Sequence, residues 1–172
     1  MSQIIPPSAW VVRHASLIAA GGRVLDLACG SGRHACLLAG LGYAVAAVDR
    51  NFEAISKLSA LPGIVATQLN LEGDNWPLTG RTFDGIIVTN YLWRPRLPDV
   101  LALLAPGGVL IYETFMVGNE AYGKPSSPAF LLRPGELREV AQAAALKEIA
   151  FEEGYTASPK PAMRQAICAV RD

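Results

Sequence analysis

Residues 23–35, RVLDLACGSGRHA, restrict the fold of this chain more than any other stretch. An apolar strand pattern breaks there into small residues and glycines and then continues into a helix. A strand that enters a helix through a glycine-rich turn is typical of α/β proteins with a parallel sheet. Unpaired backbone N–H groups at the helix start favour an anionic or nucleotide-like ligand. We therefore expect a ligand site where the first strand ends.

Strand and helix patterns alternate along the chain as far as residue 115. Ser8 is the predicted N-cap of a helix that precedes the first strand. Several strands are almost continuously apolar, which indicates a parallel sheet covered by helices on both faces. The predicted strands are 23–28, 43–49, 64–69, 83–90 and 109–115, the predicted helices are 8–20, 33–41, 52–60 and 97–105, and a turn is predicted at 106–108.

The C-terminal part of the chain has a different pattern. An amphipathic helix that includes Leu137 and Val140 follows Pro134, and two strand patterns then flank a loop rich in glycine and proline. These strands, 146–153 and 163–172, have no crossover helix between them, so they must be antiparallel neighbours. The predicted fold class is α/β: a doubly wound, mostly parallel seven-stranded sheet with helices on both faces and a C-terminal antiparallel hairpin.

Composition limits the size and the partners of the molecule. A chain of 172 residues is expected to form a single domain, residues 1–172. The 15 basic and 15 acidic residues cancel and neither half is a basic arm, so we expect no nucleic-acid partner. No apolar run reaches the ~18 residues of a membrane span, and we see no signal-peptide pattern. We expect a cytoplasmic location without membrane contact.

The cysteines and histidines do not indicate a metal site. Cys29, Cys36 and Cys168 are odd in number, and neither they nor His14 and His34 have metal-ligand spacing. A free cysteine usually behaves as a small buried hydrophobe. We therefore expect reduced thiols and no bound metal.

Two ligand classes compete for the glycine-rich turn. Gly30, Gly32 and Ala35 fit the GxGxxA pattern, and Asp49 lies about 20 residues beyond, where an acidic group binds the ribose of NAD. An NAD-dependent oxidoreductase is therefore one interpretation. Asp26 argues against it, because a carboxylate near the strand end repels a diphosphate and attracts a cation.

Further motifs follow at the ends of the strands in a fixed order. LDLACGSG ends the first strand, Asp49 closes the second, NLEGDNWPL follows the third, FDGIIVTN forms the fourth and LAPGGVLIYET leads through the fifth. This order, together with the C-terminal hairpin, resembles the class I S-adenosylmethionine-dependent methyltransferases over nearly the whole chain. It is most similar to small bacterial methyltransferases of the type 11 and tellurite-resistance-like groups. The resemblance implies S-adenosylmethionine as the cofactor.

The resemblance also implies roles for residues near the first two strands. Asp26 would hold the cofactor ammonium directly or through water, and Asp49 would accept hydrogen bonds from both ribose hydroxyls. Gly30 and Gly32 would let the backbone approach the ligand closely. Ala28 occupies a position that is often glycine in the family.

The remaining cofactor contacts are expected at the start of the helix 33–41 and at the later strand ends. Arg33 either binds the methionine carboxylate or is a solvated helix-surface residue. Thr89 and Asn90 face the crevice at the end of the fourth strand. The adenine would be bound by the segment after the third strand: Asn70 or Glu72 would meet its amino group, and Leu71 would lie against the ring.

The acceptor side is less defined by the sequence. Tyr91, Trp93 and Arg94 either form a wall for an aromatic or anionic substrate or, for the two aromatic rings, pack under the adjoining helix. Glu113 is either a base or a paired surface carboxylate. The segment 115–132 has no clear period, and a loop of this length is expected to cover the site. No catalytic residue is assigned.

The leading functional hypothesis is an S-adenosylmethionine-dependent methyltransferase that acts on a small-molecule acceptor. Methyl transfer is an in-line displacement in which positioning supplies much of the catalysis, so the chain needs no catalytic triad. The alternatives are a noncatalytic cofactor-binding module and the NAD-dependent oxidoreductase. The oligomeric state is not determined by the sequence.

Overall fold

The structure of the chain is a computed structural model that describes residues 5–172. One seven-stranded sheet forms its framework, and the predicted fold class is confirmed. The strands are β1 (Arg23–Leu27), β2 (Ala44–Asp49), β3 (Ile64–Gln68), β4 (Phe83–Thr89), β5 (Leu104–Phe115), β6 (Leu146–Thr156) and β7 (Ala162–Arg171). Their order across the sheet is β3-β2-β1-β4-β5-β7-β6. The chain reverses direction across the sheet between β1 and β4, which is where open α/β sheets bind ligands.

Five α-helices within residues 5–172 accompany the sheet. They are α1 (Ala9–His14), α2 (Arg33–Gly40), α3 (Phe52–Leu58), α4 (Leu97–Leu101) and α5 (Glu136–Ala143), with 3₁₀ turns at Ala15–Leu17, Arg94–Arg96, Asn119–Ala121 and Pro128–Phe130. Ser8 caps α1 as predicted, because its side chain accepts hydrogen bonds from the backbone N–H groups of Trp10 and Val11.

The first helical region is shorter than predicted. The α-helix ends at His14, the 3₁₀ turn ends at Leu17, and Ile18 is already extended with φ −72° and ψ 136°. In that conformation the Ile18 side chain fills the space beside Gly85 of β4, where any added Cβ would meet it. Packing on the sheet therefore overrides the helical period of the sequence.

The sheet has one apolar core on each face, as the uninterrupted apolar strands predict. Alternation along β1 shows the division: Val24 belongs to one core and Leu25 and Leu27 belong to the other. The first core contains Trp10, Leu38 and Ile55 from α1, α2 and α3, whereas the second contains Leu97, Leu101 and Leu137 from α4 and α5.

Two predictions for the segment around the start of β5 are wrong. The helix ends at Leu101 rather than at residue 105, because Leu104 already pairs with Phe83 of β4. The predicted turn at 106–108 is a bulge inside β5, after which pairing resumes between Val109 and Gly85. Gly108 suits the bulge because an added Cβ would lie 2.7 Å from a backbone oxygen.

The C-terminal hairpin enters the sheet as predicted. β7 pairs antiparallel with both β5 and β6, and it lies inside the sheet with Ile167, Cys168 and Ala169 fully buried. β6 forms the edge and carries exposed Lys147 and Glu148. Charged side chains on an edge strand discourage pairing with another chain.

Candidate functional site

A cavity of about 370 Å³ opens at the carboxyl ends of the parallel strands. The cavity lies where the strand order of the sheet reverses, which is the position at which open α/β sheets bind ligands. Its lining comes from every strand end from β1 to β5 and from the segment after β5: Ala28, Asp49, Arg50, Leu69, Asn70, Leu71, Glu72, Asn90, Tyr91, Leu92, Thr114, Phe115, Pro125 and Phe130.

Asp49 lies at the end of β2 and ties together two loops. Its Oδ2 accepts a hydrogen bond from the Gly30 N–H at 2.9 Å, and its Oδ1 accepts one from the Asn51 N–H at 2.8 Å. Each carboxylate oxygen has a second lone pair, so these bonds leave acceptor capacity for a ligand. Asp49 can therefore accept from a pair of hydroxyls while its own position is fixed.

Asp26 is buried within β1 and does not line the cavity, with only 1% of its surface exposed. Burial raises the pKa of its carboxyl to about 7, although a backbone hydrogen bond from Ala35 and the charge of Arg33 act in the opposite direction. Its Oδ2 has no hydrogen-bond partner within residues 5–172. A cation or a water molecule near this oxygen would stabilise the ionised form.

The two motif glycines have different surroundings. Both have positive φ angles, 55° at Gly30 and 84° at Gly32. Nothing lies within 4 Å of a Cβ added at Gly30, whereas a Cβ at Gly32 would collide with the Leu58 side chain of α3. The space beside Gly30 is therefore open, whereas Gly32 permits the close packing of α2 and α3.

Arg33 does not line the cavity, because its Nη1 donates a hydrogen bond to the Pro6 carbonyl at 2.7 Å. Thr89 also lies outside the lining, and its hydroxyl pairs with His34 Nδ1 at 3.3 Å. The other ring nitrogen of His34 accepts from the Ser8 N–H at 2.9 Å, so the Nδ1 carries the proton. Burial and the charge of Arg33 lower the pKa of His34 to about 4.

A polar network that the sequence did not indicate borders the cavity. Arg164 of β7 donates from Nη1 to Asn90 Oδ1 at 2.8 Å and to Glu113 Oε1 at 3.3 Å. The Ser8 hydroxyl donates to the other oxygen of Glu113 at 3.2 Å. Glu113 is thus a paired carboxylate and is not part of the cavity wall. Asn90 lines the cavity with φ 55°, a conformation that asparagine tolerates better than most residues.

The segment after β3 reaches the cavity. Asn70, Leu71 and Glu72 all line the cavity. The Asn70 side chain accepts from the Glu72 N–H at 3.0 Å, and Glu72 accepts from the Tyr91 hydroxyl at 3.3 Å. Burial and the charge of Glu72 raise the pKa of Tyr91, so its phenol stays protonated and donates. Arg50 adjoins this end of the cavity, and sequence reasoning missed it although it directly follows Asp49.

Residues after β4 divide between the cavity and the core. Tyr91 lines the cavity, but Trp93 and Arg94 do not, so of the two alternatives the three-residue wall is not formed. Tyr91 also packs against the apolar core. The guanidinium of Arg94 is fully engaged by protein acceptors. The segment 115–132 contributes Phe115, Pro125 and Phe130 to the lining and so covers one end of the cavity.

Six of the predicted cofactor residues therefore meet at the cavity: Ala28, Asp49, Asn70, Leu71, Glu72 and Asn90. Asp26, Gly30, Gly32, Arg33 and Thr89 lie outside its lining. Within the described part of the chain, no group of three or more His, Cys, Asp or Glu side chains could hold a metal ion. No helix among residues 5–172 is long and apolar enough to cross a membrane.

Comparison with known proteins gives a family match. The family model described as "Tellurite resistance protein TehB" matches residues 6–101. A protein-L-isoaspartate O-methyltransferase from Chlorobaculum tepidum is 40% identical over 108 residues, which are 58% of this chain and 47% of that protein. A tRNA U34 carboxymethyltransferase from Methylococcus capsulatus is 31% identical over 112 residues, which are 59% of this chain and 35% of that protein. The chain thus matches less than half the length of either relative.

Solved structures share the fold over nearly the whole chain. TehB from Haemophilus influenzae superposes with a TM-score of 0.78 and 21% identity, covering 96% of this chain and 63% of that one. Magnesium protoporphyrin IX methyltransferase from Synechocystis PCC 6803, determined with bound SAH, superposes with a TM-score of 0.70 and 18% identity over 95% of this chain and 80% of that one. The fold is therefore that of the S-adenosylmethionine-dependent methyltransferases.

Proposed function

Since the chain belongs to the TehB tellurite-resistance family, we propose that it is an S-adenosylmethionine-dependent methyltransferase that acts on a small-molecule acceptor. The cofactor, when bound, supplies an electrophilic methyl group on a sulfonium. The observation that carries the proposal is the position of Asp49, whose carboxylate faces a cavity of about 370 Å³ at the switch point of the sheet. The family match and the methyltransferase fold favour this cofactor over NAD.

The residues present fit the cofactor. Asp49 has free lone pairs for a ribose diol, and the unpartnered Oδ2 of buried Asp26 suits a nearby cation. Leu71 supplies an apolar surface and Glu72 an acceptor for an adenine amino group. Ala28 keeps the loop wall small. We place the cofactor at the end of the cavity formed by the loops after β1, β2 and β3.

The opposite end of the cavity is the proposed acceptor end. Asn90, Thr114, Phe115, Pro125 and Phe130 form it, and none of these side chains titrates near neutral pH. We infer that catalysis there depends on positioning, which is worth about 7–11 kcal/mol of barrier when two reactants are held in line. The proposed acceptor therefore carries a nucleophile that is already unprotonated when it binds.

A small acceptor is favoured over a macromolecule by the charge and the shape of the site. The chain has no net charge, whereas proteins that hold RNA rely on clustered basic residues. Pro125 and Phe130 add apolar walls to the acceptor end of the cavity, which suit a small molecule. The two relatives whose names give protein and tRNA substrates match this chain over only part of their lengths.

Methyl transfer and cofactor binding should be measured separately. Binding of S-adenosylhomocysteine by calorimetry, with NADH as the comparison ligand, tests the cofactor. Incubation with methyl-labelled S-adenosylmethionine and a panel of small thiols, oxyanions, amines and phenols tests the acceptor, with bulk tRNA and an isoaspartyl peptide as macromolecular alternatives. Label transferred only to tRNA or peptide would overturn the small-molecule assignment. Cofactor binding without transfer to any acceptor would instead favour the noncatalytic module.

A further inference from the structure

Arg94 has a hydrogen-bond acceptor for each of its five guanidinium N–H groups. Its Nε and Nη2 donate to the two carboxylate oxygens of Glu136 at 2.7 Å and 2.9 Å. Nη2 also donates to the Leu131 carbonyl at 2.7 Å, and Nη1 donates to the carbonyls of Pro128 and Ala129 at 3.3 Å and 3.1 Å. No donor is left for an anionic acceptor.

The partner of Arg94 is itself firmly held. Glu136 begins α5 and is only 3% exposed, and its Oε1 also accepts from the Arg133 N–H at 2.8 Å. Burial raises the pKa of Glu136, but the hydrogen bonds from Arg94 and from the Arg133 backbone outweigh it and hold the pKa below the usual range. Both partners are therefore charged, and a bidentate pair of this kind is geometrically specific.

The three bonded carbonyls belong to the cover segment, which we define as residues 117–131. Its neck is closed by hydrogen bonds from the Val117 N–H to the Leu132 carbonyl and from the Leu132 N–H to the Phe115 carbonyl. Asn119 stabilises its interior by donating to the Pro125 carbonyl at 2.9 Å. Phe130 lies between two of the carbonyls bonded to Arg94, and it lines the cavity although it is 44% exposed.

We propose that Arg94 is a positioning residue that holds Phe130 over the acceptor end of the cavity. Apart from these hydrogen bonds to Arg94, the backbone at 128–131 is held by two hydrogen bonds inside the cover segment, Phe130 N–H to Ser127 and Leu131 N–H to Pro128, and by the buried Leu131 side chain. Arg94 then decides how closely the cavity is closed and how large an acceptor fits beneath Phe130. This inference rests on the proposed function, because it assigns the covered end to the acceptor.

Two substitutions test the clamp, by which we mean the hydrogen bonds from Arg94 to Glu136 and to the cover segment, without changing the sheet. Arg94→Lys keeps a cation beside Glu136 but cannot reach three carbonyls at once, and Phe130→Ala removes the covering ring directly. Arg138→Lys is the matched control. Arg138 lies on α5, the helix that also carries Glu136, and makes a similar bidentate pair with Glu148 away from the cavity. All variants should be compared with the unmodified chain and with the Arg94→Lys/Phe130→Ala double variant.

The cofactor end and the acceptor end belong to one continuous cavity. The dissociation rate of S-adenosylhomocysteine, followed by tryptophan fluorescence in a stopped-flow instrument, therefore measures closure of the cavity as a whole. We expect Arg94→Lys to raise it about tenfold, the factor that corresponds to one charge-assisted hydrogen bond. Phe130→Ala should raise it similarly, and the double variant should show no further increase because Arg94 acts through Phe130. Additive effects, or a rate in Arg94→Lys equal to that of Arg138→Lys, would overturn the inference.

Hydrogen–deuterium exchange gives a readout that does not require ligand. Amides in 117–131 should exchange faster in Arg94→Lys than in Arg138→Lys, while those of β4 and β5 stay protected in both. If the unmodified chain fails to bind S-adenosylhomocysteine, the proposed function is wrong, and exchange alone then decides the role of the clamp. Equal protection of the cover segment in both variants would contradict it.

Discussion

The Asp49 carboxylate accepts a hydrogen bond from the backbone N–H of Gly30 at 2.9 Å and so joins the ends of β2 and β1. The same carboxylate holds the N–H of Asn51 at the start of α3. One side chain thus fixes the glycine-rich turn and also presents its remaining lone pairs to the cavity. Its removal should affect both the fold and ligand binding.

Substitution of Asp49 should weaken cofactor binding more than it weakens the fold. Asp49→Asn keeps one acceptor oxygen but loses the charge, and we expect an affinity for S-adenosylhomocysteine lower by about tenfold or more, since bonds to a charged acceptor contribute about 1.5–3 kcal/mol each. Asp74→Asn is the matched control, because Asp74 is exposed and does not line the cavity. Equal affinities in the two variants, measured by calorimetry, would remove Asp49 from the proposed site.

Asp26 should make the stability of the protein depend on pH. Its pKa is raised from 3.8 to about 7 by burial, so the folded chain binds this proton more tightly than the unfolded chain. The free energy of unfolding contributed by this group is therefore highest below about pH 4 and falls by up to ~1.4 kcal/mol per pH unit as the pH rises towards 7. Asp26→Asn should lack this fall.

Urea unfolding of the unmodified chain and of Asp26→Asn between about pH 5 and pH 8 measures the effect. The stability advantage of the asparagine variant should grow with pH and level off above about pH 7. An advantage that is constant with pH would show that Asp26 does not titrate in this range. The same variant should bind S-adenosylhomocysteine more weakly at pH 8, because it lacks a negative charge for the ammonium.

His34 should give the stability of the protein the opposite pH dependence. Its pKa is lowered from 6.5 to about 4 by burial and by Arg33, so its stabilising contribution is complete above about pH 6.5 and is lost as the pH falls towards 4. His34→Gln can still accept from the Ser8 N–H and donate to Thr89 but cannot gain a proton. Its unfolding free energy should fall less steeply than that of the unmodified chain between about pH 6.5 and pH 4, and parallel curves would contradict this account.

The two motif glycines should respond differently to the same substitution. Gly30→Ala meets no atom within 4 Å, so its cost in stability should be the positive-φ strain of about 1–2 kcal/mol. Gly32→Ala adds a collision with Leu58 and should cost distinctly more. Thermal unfolding of both variants measures the difference. A Gly30→Ala variant less stable than Gly32→Ala would show that packing against α3 does not determine the role of Gly32.

The local patterns of the sequence were sufficient to predict the sheet. Strand and helix periods, together with the glycine-rich turn after β1, predicted seven strands with a terminal hairpin, and the family and fold are confirmed. The secondary-structure predictions that failed concern element ends, because pairing of Leu104 with Phe83 and packing of Ile18 on Gly85 override local preference. That residues 1–172 form one methyltransferase domain, and that the named residues bind cofactor, stay predictions.

The sequence by itself determined which residues follow each parallel strand. Because parallel strands bring their carboxyl ends together, it thereby placed Asp49 and the segment 70–72 at one edge of the sheet. Only the tertiary structure decided the side-chain partners. Arg94 meets Glu136 across 42 residues, and Arg164 meets Asn90 across 74. Neither pair has a local sequence signal, because contacts at such separations depend on how the finished sheet and its covering segments pack.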